Sequence, residues 1–235
     1  MTLSVGMVLF PGLTQLDLAG PYEVLTRLPD TAVHLVADGR APVRTEQGLT
    51  ISPEATFDDV PPLDLLCVPG GPGVDPLMED ARLLGFLEAR ARQARFVASV
   101  CTGALLLGAA GLLRGYRATT HWLSLDLLPL FGAIPVEERV VVDRDRLTGG
   151  GVTAGIDLGL AVAAQLFGRA VAEEIQLTIE YDPAPPFRSG SPRTAPAAVV
   201  ERVTRARGPR QAERRAIAER AAARLASAAG RRPPR

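Results

Sequence analysis

With two cysteines, two histidines and no lysine, this 235-residue chain has few groups able to act as nucleophile or base. All 26 basic residues are arginine, which removes Lys Schiff-base chemistry and a Walker-type phosphate lysine. The residue best placed for chemistry is Cys101, in Ser99-Val100-Cys101-Thr102-Gly103, where the apolar run FVASV passes into ALLLGAAGLL. Small-x-nucleophile-x-Gly is the pattern of a nucleophile elbow. The tight strand-to-helix turn strains its central residue and needs small residues two positions to either side. It would also set the sulfur at a helix N-terminus, where backbone N–H groups and the helix dipole favour thiolate. The alternative is a buried structural thiol, the usual fate of this residue type. The small flanks and the strand-end placement favour the reactive one. Cys67, mid-strand in LLCVPGG, lacks such flanks and reads as core.

Other side chains carry weaker signals. Asp17 opens a helical pattern, where an Asp is most simply an N-cap. Asp157 reads as a cap or fold residue of the helix it begins. His34 lies within the strand-like AVHLVA and reads as structural. His121, in TTHW, is either satisfied by local hydrogen bonds or functional. GGPGVDP (70–76) is a Gly-rich turn after a strand, but it matches neither GxGxxG nor a Walker A sequence. No cluster of His, Cys and carboxylates stands at metal-ligand spacing, and neither a metal nor an organic cofactor is expected.

The elements that must position these groups alternate. Strands are expected at 3–10, 32–37, 63–71 and 96–100, and helices at 18–28, where Gly20-Pro21 suits the first turn, and at 80–95. Hairpins are expected around Gln47-Gly48 and Asp143 to Asp145, followed by the helices GIDLGLAVAAQLF and RAVAEEIQLTIEYD. Strands that are apolar throughout, alternating with helices, predict an α/β fold with a mostly parallel, doubly wound sheet covered on both faces. Ligands of such folds lie outside the carboxyl ends of the strands, where Cys101 and Gly70-Gly71 both fall.

Composition divides the chain into a body (1–182), a Pro/Ser linker (183–195) and an Arg/Ala-rich helical tail (196–235). Residues 201–235 hold eleven Arg against three Glu, so the neutral chain carries +8 there and −8 before it. A solvated helix packed on the body or on a partner subunit is the expectation, with nucleic-acid binding the sharper and weaker alternative. No apolar stretch is long enough to span a membrane and no secretory signal is visible. Two cysteines make no disulfide framework, so a cytoplasmic protein is expected.

The segments FPGLTQLDLAGPYEVL, VPGGPGVDPLM, SVCTGALLLGAAGLLRGYRATTHW and GGVTAGIDLGLAVA together resemble the ThiJ/PfpI superfamily over about residues 1–182. The resemblance implies a flavodoxin-like, glutamine-amidotransferase-like fold. It is closest to the isonitrile hydratase group, which pairs an elbow Cys followed by Thr with an Asp on the first helix, here Cys101, Thr102 and Asp17. Relatives resembling intracellular proteases place a His directly after the elbow Cys; here that residue is Thr102. The resemblance implies hydration of a small isonitrile to an N-substituted formamide. Cys101 would attack the terminal carbon to give a thioimidate, while Asp17 delivers a proton towards the nitrogen end and later activates water. It makes the N–H groups of Gly71 and Thr102 an anion hole, brings His121 near the elbow, and suggests an apolar pocket near a homodimer interface. A ligand-sensing regulatory domain and a redox-sensing protein using Cys101 are the alternatives. About 50 residues after the body are too few for the DNA-binding part of such regulators.

Overall fold

A computed structural model describes residues 2–229. In chain order its strands are β1 (Leu3–Val8), β2 (Thr31–Ala37), β3 (Val43–Arg44), β4 (Thr50–Ile51), β5 (Ala55–Thr56), β6 (Leu65–Val68), β7 (Phe96–Val100), β8 (Arg117–Ala118), β9 (Ile134–Pro135), β10 (Val140–Asp143) and β11 (Arg146–Gly149). The helices are α1 (Gln15–Leu25), α2 (Val74–Leu77), α3 (Ala81–Ala91), α4 (Gly103–Ala109), α5 (Ala154–Phe167), α6 (Arg169–Thr178) and α7 (Ala197–Ala229). A 3₁₀ segment, Trp122–Phe131, joins β8 to β9.

Seven strands form one sheet in the order β10-β11-β7-β6-β1-β2-β5. Every neighbouring pair is parallel except the β10–β11 hairpin at the edge. The central strand β6 is buried along its whole length, and β1 and β7 nearly so, which is why LSVGMV, LLCV and FVASV read as unbroken apolar runs. From β1 the chain steps one way to β2, and from β6 it steps the other way to β7. Right-handed crossovers therefore put α1 on one face, with α5 and α6, and α3 and α4 on the other. The strand order reverses between β1 and β6, so the loops after β1, β6 and β7 open onto a common crevice.

Helix α1 begins three residues before the expected position, with Thr14 rather than Asp17 as its N-cap residue. Gly20-Pro21 consequently lies mid-helix. The Pro21 ring packs closely on α5, where a Cβ on Gly155 would come within 2.8 Å of it. The hairpins form as expected, as β3–β4 and β10–β11. Among the described residues, no helix is long and apolar enough to cross a membrane.

Candidate active site

Cys101 occupies the turn between β7 and α4 in the left-handed region, with φ +54°. A non-glycine residue is held there only where its surroundings over-determine it. Here its N–H is shared between the carbonyls of Gly149 (3.0 Å) and Gly150 (2.8 Å), and its own carbonyl accepts from Thr120 Oγ1 at 2.8 Å. Two positions later the elbow demands glycine, because a Cβ on Gly103 would stand 2.2 Å from the Val68 carbonyl oxygen. Ser99, two positions before, is fully buried. The elbow read from small-x-Cys-x-Gly is present.

Asp17 reaches the same point from α1. Its carboxyl is completely buried, and Oδ2 accepts the Gly70 N–H at 2.9 Å from the loop after β6. Its side chain caps nothing on its own helix. The other oxygen, Oδ1, is buried without a hydrogen bond of ordinary geometry, and the thiol of Cys101 lies close enough for each group to shift the other's proton affinity. Burial raises the Asp17 carboxyl to about 7, against the opposing pull of the Gly70 N–H and the Cys101 thiol; Glu46 adds a smaller push upward.

The thiol corrects the expectation of a resting thiolate. Burial, and then the charge of Asp17, push Cys101 well above the ordinary thiol range. The Thr102 N–H and the Arg214 guanidinium pull the other way and do not prevail. A seven-residue α4 supplies too little to hold an enclosed anion beside a carboxylate. At rest the sulfur keeps its proton, and Asp17 is the group of the pair that titrates near neutrality.

A second correction concerns the anion hole. The Gly71 N–H does not face the sulfur unpaired: it donates to Thr102 Oγ1 at 2.9 Å, and that hydroxyl lies 3.3 Å from the Gly71 carbonyl. Thr102 thus ties the loop after β6 to the elbow, and of the two expected donors its own N–H is the one directed at the sulfur. Gly70 must be glycine for the same closeness, since a Cβ there would meet Thr102 N at 2.5 Å and Asp17 Oδ2 at 2.8 Å. His121 caps the 3₁₀ segment through Nδ1, which accepts from the Leu123 N–H at 3.3 Å, and it also lines the Cys101 pocket. Burial, followed by Arg214 and Arg207, lowers it to about 4, so it is neutral at pH 7. Cys67 is enclosed in β6, its thiol raised to about 12 by burial. His34 lies in β2, away from the pocket, and Asp157 pairs with Arg139 and Tyr181 on the outer side of α5.

The sequence did not reveal who closes the pocket. A cavity of about 170 Å³ over Cys101 is lined by Thr14, Gly71 and His121 from the body, and by Arg207, Arg210 and Arg214 from α7. The tail, expected only as a solvated helix packed on the body or on a partner subunit, supplies one wall of the pocket. Arg214, with a side chain 6% exposed, donates to Asp75 Oδ1 (2.6 Å) and Ser124 Oγ (3.1 Å), while Arg210 donates to Asp75 Oδ2 (2.7 Å) and the Pro72 carbonyl (2.9 Å). Farther along, Arg215 pairs with Asp126, and Arg220 and Arg224 with Glu79. Ion pairs between tail and body thus absorb part of the opposite charge surpluses read from the sequence.

The DJ-1/PfpI family model matches residues 3–165. The chain belongs to the DJ-1/PfpI family. It is 56% identical to an isonitrile hydratase of Pseudomonas putida over 225 residues, covering 96% of this chain and 99% of that protein. The HTH-type transcriptional regulator GbdR of Pseudomonas aeruginosa is 32% identical over 76% of this chain, but that match spans only 51% of the regulator. A crystal structure of a ThiJ/PfpI family protein from Pseudomonas syringae shares the fold with a TM-score of 0.90 at 44% identity, covering 93% of this chain and 91% of that one.

Two features of this DJ-1/PfpI chain follow. The family model ends before α7, whereas a match covering 96% of the chain must take in most of that helix. The arginine wall therefore falls within the region shared with the hydratase. Among the described residues, no group of three or more His, Cys, Asp or Glu side chains is placed to hold a metal ion.

Proposed function

We propose that this protein hydrates isonitriles, R–N≡C, to N-substituted formamides, with Cys101 as nucleophile and Asp17 as proton carrier. The observation that carries the reading is the buried Asp17 carboxyl, raised to about 7 and facing a strained elbow thiol. It is supported by 56% identity to an isonitrile hydratase over nearly the whole length of both chains.

A thiol well above the usual range needs a base, and Asp17 in its carboxylate form is the one adjacent. As the substrate enters carbon-first, Asp17 takes the thiol proton while sulfur bonds to the terminal carbon. Isonitriles form both new bonds at that carbon, so Asp17 returns the proton there, leaving R–N=CH–S–Cys101. The proton thus goes to carbon in the first half of the reaction and reaches nitrogen only in the second. Asp17 next takes a proton from water as hydroxide adds to the same carbon, and the nitrogen accepts that proton. Collapse of R–NH–CH(OH)–S–Cys101 breaks the C–S bond. The hydroxyl proton passes through Asp17 to the departing sulfur, and R–NH–CHO leaves. Asp17 ends as it began, with no net change in protons. Thr102 serves by its N–H, which favours the thiolate, and by a hydroxyl that fixes the loop carrying Gly70, the residue that orients Asp17.

A redox-sensing role is disfavoured by the same chemistry, because oxidation-prone cysteines are exposed and of low pKa, whereas Cys101 is buried and raised. DNA binding through α7 is disfavoured by the arginines already paired with Asp75, Glu79 and Asp126. The test is to incubate the purified protein with an alkyl isonitrile and assay the formamide, alongside peroxide titration and DNA-shift assays. Formamide production is expected, and its absence rejects the proposal.

A further inference from the structure

The residues of α7 that face the pocket are Arg207, Arg210, Gln211 and Arg214, the i, i+3, i+4, i+7 stripe that a helix docked on a core normally makes apolar. Three of the four are cations. Their neutralisation is incomplete: the single carboxylate of Asp75 serves both Arg210 and Arg214, and Arg214 is buried. Arg207 forms no hydrogen bond or ion pair among the described residues, although it is near enough to His121 to help suppress its protonation. His121 is neutral and adds nothing to cancel. Among the described residues, the one carboxylate lining the cavity is Glu46, which accepts from Thr14 Oγ1 at 2.9 Å on the side of Asp17. The pocket is therefore polarised, with carboxyl groups beside the sulfur and surplus positive charge on the α7 side.

We propose that the α7 side binds an anionic group on the substrate, so that the preferred isonitrile carries a carboxylate on its R group and Arg207 is the principal contact. This rests on the hydratase reading and sharpens it. A carbon-first isonitrile between Cys101 and Asp17 directs its R group away from the Asp17 side, and 170 Å³ accommodates only a short chain before α7 is met. The unpaired guanidinium there offers a planar fork of donors that matches a carboxylate. Arg207 is solvent-exposed, so its attraction for an anion is open to screening by salt.

The experiment compares kcat/KM of the full chain for 4-isocyanobutanoate and for its methyl ester, which has nearly the same size and no charge. The carboxylate is expected to be favoured at least about tenfold, the effect of one hydrogen bond to a charged group. In Arg207→Gln the carboxylate-to-ester ratio should fall about fivefold or more, Arg207→Lys should restore part of it, and added salt should lower it in the wild type. An equal or lower kcat/KM for the carboxylate, or a preference that survives Arg207→Gln, overturns the assignment while leaving the hydratase reading in place. Turnover of neither compound overturns both.

Discussion

Asp17 Oδ2 accepts the backbone N–H of Gly70 at 2.9 Å across 53 positions of sequence, and this bond commits the carboxyl to the thiol rather than to its own helix. The consequence is a group that costs stability in order to be available as a base. An Asp whose proton affinity is raised from 3.8 to about 7 on folding disfavours the folded state once it must ionise.

Asp17→Asn separates the two effects. Asn retains an oxygen for Gly70 but cannot carry a proton, so kcat on an alkyl isonitrile should drop by about 10² to 10⁴. Stability should move the other way. Between pH 4 and 7 the folded wild type binds more protons than the unfolded chain, so its stability falls as pH rises through that window, by up to roughly 4 kcal/mol. Thermal melts should therefore show Asp17→Asn more stable than wild type at pH 8, with the gap closing towards pH 4. Equal melting at pH 8 would mean that the carboxyl is not enclosed as described.

The pH dependence of Cys101 should report Asp17. Because the thiol remains protonated through neutrality, its reactivity needs the carboxylate form of Asp17 as base. Iodoacetamide labelling of Cys101 should rise with pH through an apparent pKa near 7, and Asp17→Asn should lose that limb. A single limb in the ordinary thiol range, unchanged in Asp17→Asn, would detach the two groups from each other.

Asp75 tests the docking of α7. Removing it leaves Arg210 and the buried Arg214 without their counter-ion, so Asp75→Ala should lose about 3 kcal/mol in denaturant unfolding, chiefly through Arg214. Release from the body should also make α7 itself more susceptible to protease. For the same reason, deletion of residues 196–235 should impair hydration by removing the pocket wall. Full activity in a folded truncation would show that the wall is dispensable.

The elbow and the alternation of strands and helices were legible in the sequence because each is a local rule: a Gly that only close backbone approach demands, and apolar runs of strand length. Asp17 was legible only through resemblance, since by residue type it competes with N-caps and its partner Gly70 lies far along the chain. The inward placement of Arg210 and Arg214 was illegible for a related reason. Arginines on a helix look like a solvated face until their carboxylate, some 140 positions earlier at Asp75, is brought beneath them. The Gly71 N–H was assigned to an anion hole because sequence does not show that the Thr102 hydroxyl takes it first.

The central claim is that the Cys101 sulfur forms and breaks a bond to the isonitrile carbon. It is tested most directly with an alkyl isonitrile labelled with ¹³C at that carbon, following the formyl signal of the formamide by NMR for wild type and Cys101→Ala in parallel. Wild type should convert the label to formamide, and a folded Cys101→Ala should show only the uncatalysed background. Formamide formed by Cys101→Ala at a rate near that of wild type would contradict the account.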